Sequence, residues 1–476
     1  MSISLLSIEI LTTILAIGLL IIGLLVPKGQ WRGIGYLTTA GLLGILATTL
    51  TFSGVDDTLF SGMYVIDPLG TFFKQLFLLA AILVSVASFD YIKRLGYNQG
   101  EFFSLLLFAT LGMMVLVSAG DLISLYVGLE LMTITFIILT AYRKKDAKAS
   151  EAGIKYVILG AMSSAVLLYG LSLIYGATGT TVFTEIAAAL ENGVQPLMVL
   201  GTIFVLAGFA FKISAVPFHM WSPDIYEGAP TPVTAFLAVA SKAAGFAALI
   251  RILIIALPAL ASDIWLVIII VLASLTVLFG NFVAIPQTNI KRLLAYSSIA
   301  QAGYLMFGLV AFSALGIAAI LFHSLLYVFA NMGAFIVAIA FYNSTGSDEI
   351  KDYTGLAQRS PLMAAVMLLS MLSLAGIPPL AGFVSKFYLF TSIIDKGYFW
   401  LAFVGIGMSM VSVYYYLIVV KVMYLGEPPE DAEPIKLPVS IQAVLFVTMI
   451  VIVLFGIYPQ PLTNVALSVA QAFFPF

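Results

Sequence analysis

The sequence predicts an all-α polytopic membrane protein of about fourteen transmembrane helices, two of them broken. Three observations predict it. The chain is 62% hydrophobic and only 9% charged, against about 25% charge in an ordinary soluble domain, and its mean hydropathy is +1.12. Its apolar residues come in runs of about 20, the length that spans hydrocarbon as a helix, rather than the shorter alternating runs of a barrel. The runs follow one another closely, and no soluble domain is left over.

The first run, Leu5 to Val26, has no basic stretch before it. That argues against a cleaved signal or transit peptide and for a retained span near 4–26. Further spans fall near 33–53, 68–90, 102–118, 121–141, 154–175, 196–221, 231–257, 263–285, 291–312, 314–342, 361–395, 398–424 and 438–458, and Leu462 to Phe474 reads as a short interfacial helix. We number these spans as segments one to fourteen. Segment seven contains GFAFKISAVPFHMWSPD, with Pro217 and Pro223, and segment twelve contains SLAGIPPLAGFVSKFYLF, with Pro378 and Pro379. Proline removes a backbone donor and breaks a helix, and broken backbone survives in a membrane only where protein or water satisfies it. The two breaks lie five segments apart. Segments four to eight (102–257) and nine to thirteen (258–424) therefore read as two five-helix units. An odd number of helices per unit inverts the second relative to the first. Three helices precede them (1–101), and one helix with a tail follows (425–476).

Loop charge sets orientation. The odd loops carry Lys28 and Arg32, Lys93 and Arg94, Arg143, Lys144, Lys145 and Lys148, Lys291 and Arg292, Lys351 and Arg359, and Lys436. The even loops carry Asp56, Asp57, Asp67, Asp121, Glu185, Glu191 and Asp263, with Lys396 the basic exception. The positive-inside rule makes the odd loops cytoplasmic and puts both termini outside. One odd loop is acidic, with Asp224 and Glu227.

Four charges fall in mid-segment: Glu130 in five, Lys212 in seven, Lys242 in eight and Lys386 in twelve. Each costs roughly 2.5–3.5 kcal/mol on insertion scales, so the default reading is a hydrated path that carries charge through the membrane. The bland reading is interhelical hydrogen bonding. For Lys212, beside the Pro217 break, the bland reading is snorkelling to the headgroups, which the apolar sequence on both sides of it makes harder. A Glu130–Lys212 pair would oppose desolvation of the lysine and let it bind and release a proton. Small residues around Lys242 (Ala240, Ser241, Ala243, Ala244 and Gly245) leave space for water or a close helix approach. Lys386 has no carboxylate beside it in sequence. His323 in segment eleven is a relay candidate, with a satisfied core histidine the equal alternative. Lys155, at the start of segment six, reads as interfacial or as a further relay group. Lys74 and Arg251 read as snorkelling residues or subunit contacts, and His219 as shaping its loop.

Several functions are excluded. There is no cysteine and there are two histidines, so Cys-ligated iron–sulfur and zinc sites are absent. No dinucleotide fingerprint or phosphate loop is present. A net charge of −2 gives no reason to expect a nucleic-acid partner. Any redox chemistry linked to this chain must sit on another subunit, and pumping, at about 2.3 kcal/mol per charge per 100 mV, must be driven by neighbours or by a second ion gradient.

Four stretches together carry a specific resemblance: FKISAVPFHMWSPDIYEGAPTPVTAFLAVASKAAGFAALIRIL, GDLISLYVGLELMTI, NIKRLLAYSSIAQAGYLMFG and GIPPLAGFVSKFYLF. From about Phe102 to Tyr424 the chain resembles the antiporter-like membrane subunits of NADH-quinone oxidoreductase, respiratory complex I, of the subunit N type. EGAPTPVTAFLAVASK in segment eight favours that type over its relatives. The resemblance implies fourteen helices, inverted five-helix units, a half-channel in each unit and a polar axis joining them. It matches Glu130, Lys212, Lys242 and Lys386 to proton-transfer positions, and Lys155 to a segment-six lysine. It implies a translocase subunit in the cell inner membrane, partnered by other membrane-arm subunits and lipid, with NADH, flavin, iron–sulfur clusters and quinone on partner subunits. The rival readings are a subunit of a multi-subunit sodium/proton antiporter and a scaffold that does not pump.

Overall fold

The computed structural model describes residues 3–27, 32–96, 98–191, 193–260, 264–429 and 433–474. The loop charges Lys28 and Asp263 lie outside these residues. Twelve helices among them are long and apolar enough to cross a membrane. They fall on segments one to six, eight to eleven, thirteen and fourteen. Segments seven and twelve are built from shorter pieces, as their prolines predict. Segment seven is Pro196–Lys212 and a break, after which the short helix Trp221–Gly228 carries the acidic residues of the following loop. Segment twelve is Pro361–Ala375, a break, then Ala381–Ile394.

Side-chain pattern explains the layering. Segments eight, ten (Ile290–Ala311) and eleven (Ala314–Thr345) are apolar or small at most positions, with a few polar groups set among them, and are almost wholly enclosed. Segments one, two, six, nine, thirteen and fourteen bury a third or less of their residues and form the outer layer, where apolar side chains meet lipid or partner chains at no cost. Segment nine (Leu266–Ala284) packs along ten, four (Gln99–Val117) along five (Leu122–Thr140), and six (Ala147–Thr178) along the first half of seven.

Four features depart from the sequence expectation. Residues 57–66 form a two-stranded antiparallel hairpin, Asp57–Leu59 with Tyr64–Ile66, docked on the turn between segments four and five by Val65 N–H to Ser118 O. A helix of nine residues, Phe183–Glu191, precedes segment seven. Segment six is longer than expected, because Asp146 caps it through Lys148 N and Ala149 N and moves its start well before 154. Segment eight is not a uniform α-helix. Thr231–Phe236 and Lys242–Ile250 are α-helical, while Leu237–Ser241 and Arg251–Ala256 are π-helical. Hydrophobic runs carry no signal for such widened turns, which often mark functional sites.

Candidate proton-transfer line

Each break exposes backbone groups, and the structure satisfies them with side chains. At segment seven, Val216 N–H donates to Thr276 Oγ1 at 2.9 Å and Trp221 Nε1 donates to Phe211 O at 2.8 Å. At segment twelve, Gln301 Nε2 donates to Leu374 O at 3.0 Å, and Lys386 Nζ and Ser409 Oγ donate to Ala375 O at 3.0 and 2.9 Å. Ala375 ends the first half-helix, so Lys386 sits at the negative end of its dipole. Gly376 turns the chain there with φ +87, and a Cβ would stand 2.9 Å from Lys386 Cδ. Both the left-handed turn and the lysine's seat therefore require glycine.

The three mid-segment lysines are each only 3% exposed. Among the described residues, none has a carboxylate within ion-pair distance; each is held by neutral oxygen. Lys212 Nζ donates to Thr133 Oγ1 at 3.0 Å, Lys242 Nζ to Ser298 Oγ at 2.6 Å, and Lys386 Nζ to Ser409 Oγ at 2.9 Å as well as to Ala375 O. Lys386 also lies 4.6 Å from the Tyr304 ring centre. Segment eight approaches segment seven closely at Gly245, where a Cβ would meet Ile213 at 2.8 Å and Lys212 at 3.7 Å. The small residues there provide the close approach that their size allows.

The expected Glu130–Lys212 ion pair is not formed. Glu130 accepts from Ser164 Oγ of segment six, and Thr133, one turn on, holds the lysine. Glu130 is half-buried, on the same stripe as the exposed Ile123, Val127, Ile134 and Ile138. It sits at the rim of the chain, while Lys212 is inside.

His323 joins the line. Its Nδ1 lies 3.1 Å from Ser385 Oγ, which donates to Gly382 O at 2.9 Å. With that hydroxyl committed, Nδ1 donates and Nε2 is the free acceptor. His323, Tyr327, Gln301 and Lys386 line a cavity of about 10 Å³, space for a single water. Among the described residues, Gln301 and Tyr327 of that cavity, and Ser324 and Asn331 on the same helix as His323, have buried polar atoms without a hydrogen-bond partner. Unpaired polar atoms are costly in a dry interior, and bridging water is the ordinary remedy. Sequence reasoning missed Thr133, Ser298, Gln301, Tyr327 and Ser409. A lone hydroxyl or amide in an apolar run is common, and only folding shows that these converge on lysines.

Lys155 is brought elsewhere. Its partly exposed amine pairs with Asp224 at 2.7 Å and Glu151 at 2.8 Å. Asp224 and Glu227 also bind Arg292 at 3.0 Å each, and Glu227 binds Lys148 at 2.9 Å. This accounts for the acidic odd loop, whose carboxylates are neutralised by the bases around them. Burial pushes Asp224 and Glu227 up, but hydrogen bonds from Lys155 and Arg292 to the first, and from Lys148 and Arg292 to the second, hold both below the usual carboxylate range.

Lys74 and Arg251 correct the sequence reading. Neither snorkels. Lys74 is 3% exposed and pairs with Glu9 at 2.7 Å, with Tyr64 Oη at 3.1 Å. Arg251 is fully buried. It pairs with Asp67 at 2.7 Å and donates from Nε to Val117 O. Asp67 caps segment three (Pro68–Leu95) and Val117 ends segment four, so one guanidinium ties two helix ends to segment eight. Long-range partners such as Glu9 cannot be read from local sequence. Among the described residues, no group of three or more His, Cys, Asp or Glu side chains is gathered as a metal would need.

Comparison with known proteins agrees with this architecture. The profile described as NADH:quinone oxidoreductase/Mrp antiporter, TM, matches residues 119–412. The NADH-quinone oxidoreductase subunit N of Moorella thermoacetica is 62% identical over 99% of this chain and 98% of its own. A chain of respiratory complex I from Thermus thermophilus, solved with bound aureothin, superposes with a TM-score of 0.82 at 31% identity, over 96% of this chain and 98% of that one. A chain of the Mrp complex from Dietzia sp. DQ12-45-1b superposes with a TM-score of 0.87 at 23% identity, over 100% and 98%, and shows the same fold. The chain belongs to the NADH:quinone oxidoreductase/Mrp antiporter transmembrane family.

Proposed function

We propose that this chain is a proton-translocating membrane-arm subunit of NADH:quinone oxidoreductase, of the subunit N type. In this reading Glu130, Lys212, Lys242, His323 and Lys386 pass protons along the buried line. The observation that carries it is the set of three enclosed lysines held by hydroxyl and carbonyl oxygen, two of them at the breaks of segments seven and twelve. An amine in such a seat keeps its hydrogen-bond partners when it loses a proton and regains its charge when it takes one. A carboxylate contact would fix it in the charged form.

Hydride and electron transfer belong to partner subunits, which hold NADH, flavin, iron–sulfur clusters and quinone. This chain turns a change transmitted by those neighbours into proton movement. Segments four to eight and nine to thirteen act as two inverted units, each with one broken helix, behind a three-helix N-terminal part. Loop charges support odd loops in the cytoplasm and both termini outside. Lys155 takes part at the cytoplasmic surface, in the ion network with Asp224.

The antiporter reading shares the fold, as the Dietzia chain does, but the 62% identity favours the quinone reductase. Proton pumping and quinone reduction measured together in vesicles with a Lys212→Ala complex test the proposal. It predicts an assembled complex with lost pumping. Normal pumping would favour the scaffold reading, and sodium-dependent transport the antiporter.

A further inference from the structure

The ends of five segments enclose a cavity that the proton-transfer line does not touch. It measures about 340 Å³, within the range of about 300–1,000 Å³ typical of small-molecule sites. It lies where segments two (Arg32–Thr49) and four begin, three and eleven end, and fourteen (Val439–Ile457) begins. All five ends adjoin odd loops. The cavity therefore sits at one surface of the membrane, at the depth of phospholipid headgroups.

One part of its lining suits an anion. Segment fourteen starts at Val439, and no side chain caps it. Its first hydrogen bond runs from Gln442 N–H to Pro438 O at 3.1 Å. The N–H groups of Val439, Ser440 and Ile441 are therefore left without helical partners. Ser440, Ile441 and Lys436 all line the cavity. The stretch that carries them is pinned, by Ile435 N–H to Arg359 O at 3.0 Å and by Gln442 Nε2 to Leu437 O at 2.9 Å. A helix start with a lysine beside it attracts phosphate.

Two further side chains point independently to a ligand. Gln99 is 2% exposed and lines the cavity, yet its amide has no hydrogen-bond partner among the described residues. Asn343 lines it too, and its Oδ1 is buried without a partner. Its backbone is fixed, because Arg94 donates to the carbonyls of Tyr342 and Asn343. Enclosed amides left unpaired are costly, and a ligand carrying both donors and acceptors satisfies them. Asp90 adds a negative charge to the lining. Tyr36, also in the lining, is 61% exposed, and tyrosine collects at the headgroup level of membranes. Segments two and fourteen, on either side, belong to the outer layer.

We infer that this cavity holds the headgroup of one zwitterionic phospholipid of the phosphatidylethanolamine kind. Its phosphodiester accepts from the first N–H groups of segment fourteen, from Lys436 and from the Gln99 amide. Its ammonium donates to Asp90 and Asn343 Oδ1. Its acyl chains leave past Tyr36 along the outer faces of segments two and fourteen. The lipid braces the three-helix N-terminal part, segment four, segment eleven and segment fourteen against one another, since each supplies part of the wall. None of the proton-transfer residues takes part, so the inference stands apart from that reading.

The test is photo-crosslinking of the whole complex with phosphatidylethanolamine that carries a diazirine in one acyl chain, followed by peptide mapping. Labelled peptides from segments two and fourteen are expected. Ser440→Asp and Lys436→Glu should each lower that labelling about tenfold or more and leave labelling elsewhere unchanged. Both variants should fold, because a carboxylate at a helix start stabilises the helix and Lys436 is exposed. Unlabelled phosphatidylethanolamine should displace the probe at about tenfold lower concentration than phosphatidylglycerol, and inorganic phosphate should not displace it. Unchanged labelling in both variants overturns the site. Displacement by inorganic phosphate makes it a free-anion site and overturns the lipid. Equal displacement by phosphatidylglycerol overturns the ammonium contact with Asp90. Absence of label from both segments in the wild-type complex, as a partner subunit covering the cavity would give, overturns the inference as a whole.

Discussion

Lys212, Lys242 and Lys386 are as deeply enclosed as Lys74, Arg251 and Lys291, yet the two sets have opposite partners. The first set rests on Thr133, Ser298, Ser409 and the Ala375 carbonyl. The second is pinned by Glu9, Asp67 and Asp348 at 2.7, 2.7 and 3.3 Å. Burial alone therefore does not mark a proton carrier. A buried pair is neutral overall and fixes geometry, and breaking one side leaves a stranded charge. A lysine on hydroxyls leaves no stranded charge when it deprotonates.

This contrast can be broken or sharpened by substitution. The largest effect is expected at the unpaired set. Lys386→Ala should lower proton pumping about 100-fold or more while the complex still assembles, read as acidification in vesicles. Next comes the paired set, where stability changes rather than transport. Glu9→Gln should destabilise the chain by about 3–5 kcal/mol by stranding Lys74. Glu9→Gln with Lys74→Met should recover most of that loss in a thermal melt. A smaller effect is expected for Glu130→Gln. It removes the carboxylate one turn before Thr133, the residue that holds Lys212, and about a tenfold drop in pumping is expected. An unchanged rate would remove Glu130 from the line.

The smallest effect belongs to the surface network. Asp224 is held below its ordinary value of 3.8. Its folded value is depressed, so its contribution is complete above 3.8 and is lost only as pH falls through the lower folded value. Asp224→Asn should therefore cost little, since exposed pairs are worth about 0–1 kcal/mol. The difference between its melt and that of the wild type should vanish in strong acid.

The sequence carried much of this fold because lipid imposes simple rules. Runs of about 20 apolar residues become spans, and Pro217 and Pro378 mark the breaks where the structure places them. Glu130, Lys212, Lys242 and Lys386 stand out because a charge is rare in such runs. What sequence could not supply was partnership. Lys74 and Lys242 look alike as letters, and only the arrival of Glu9 from segment one separates them. Lys155 drew attention as a charge, while its partners Asp224 and Glu151 hold it at the surface. The widened turns around Lys242 and the hairpin at 57–66 leave no hydropathy signature.

The central claim is that enclosed cations on hydroxyls exchange protons and enclosed cations on carboxylates do not. Its most direct test is protons pumped per electron in two complexes side by side, Lys242→Met and the Glu9→Gln, Lys74→Met double. The account predicts almost no pumping in the first and wild-type stoichiometry in the second. Full pumping by the Lys242→Met complex, or loss of pumping in an assembled double variant, would contradict it.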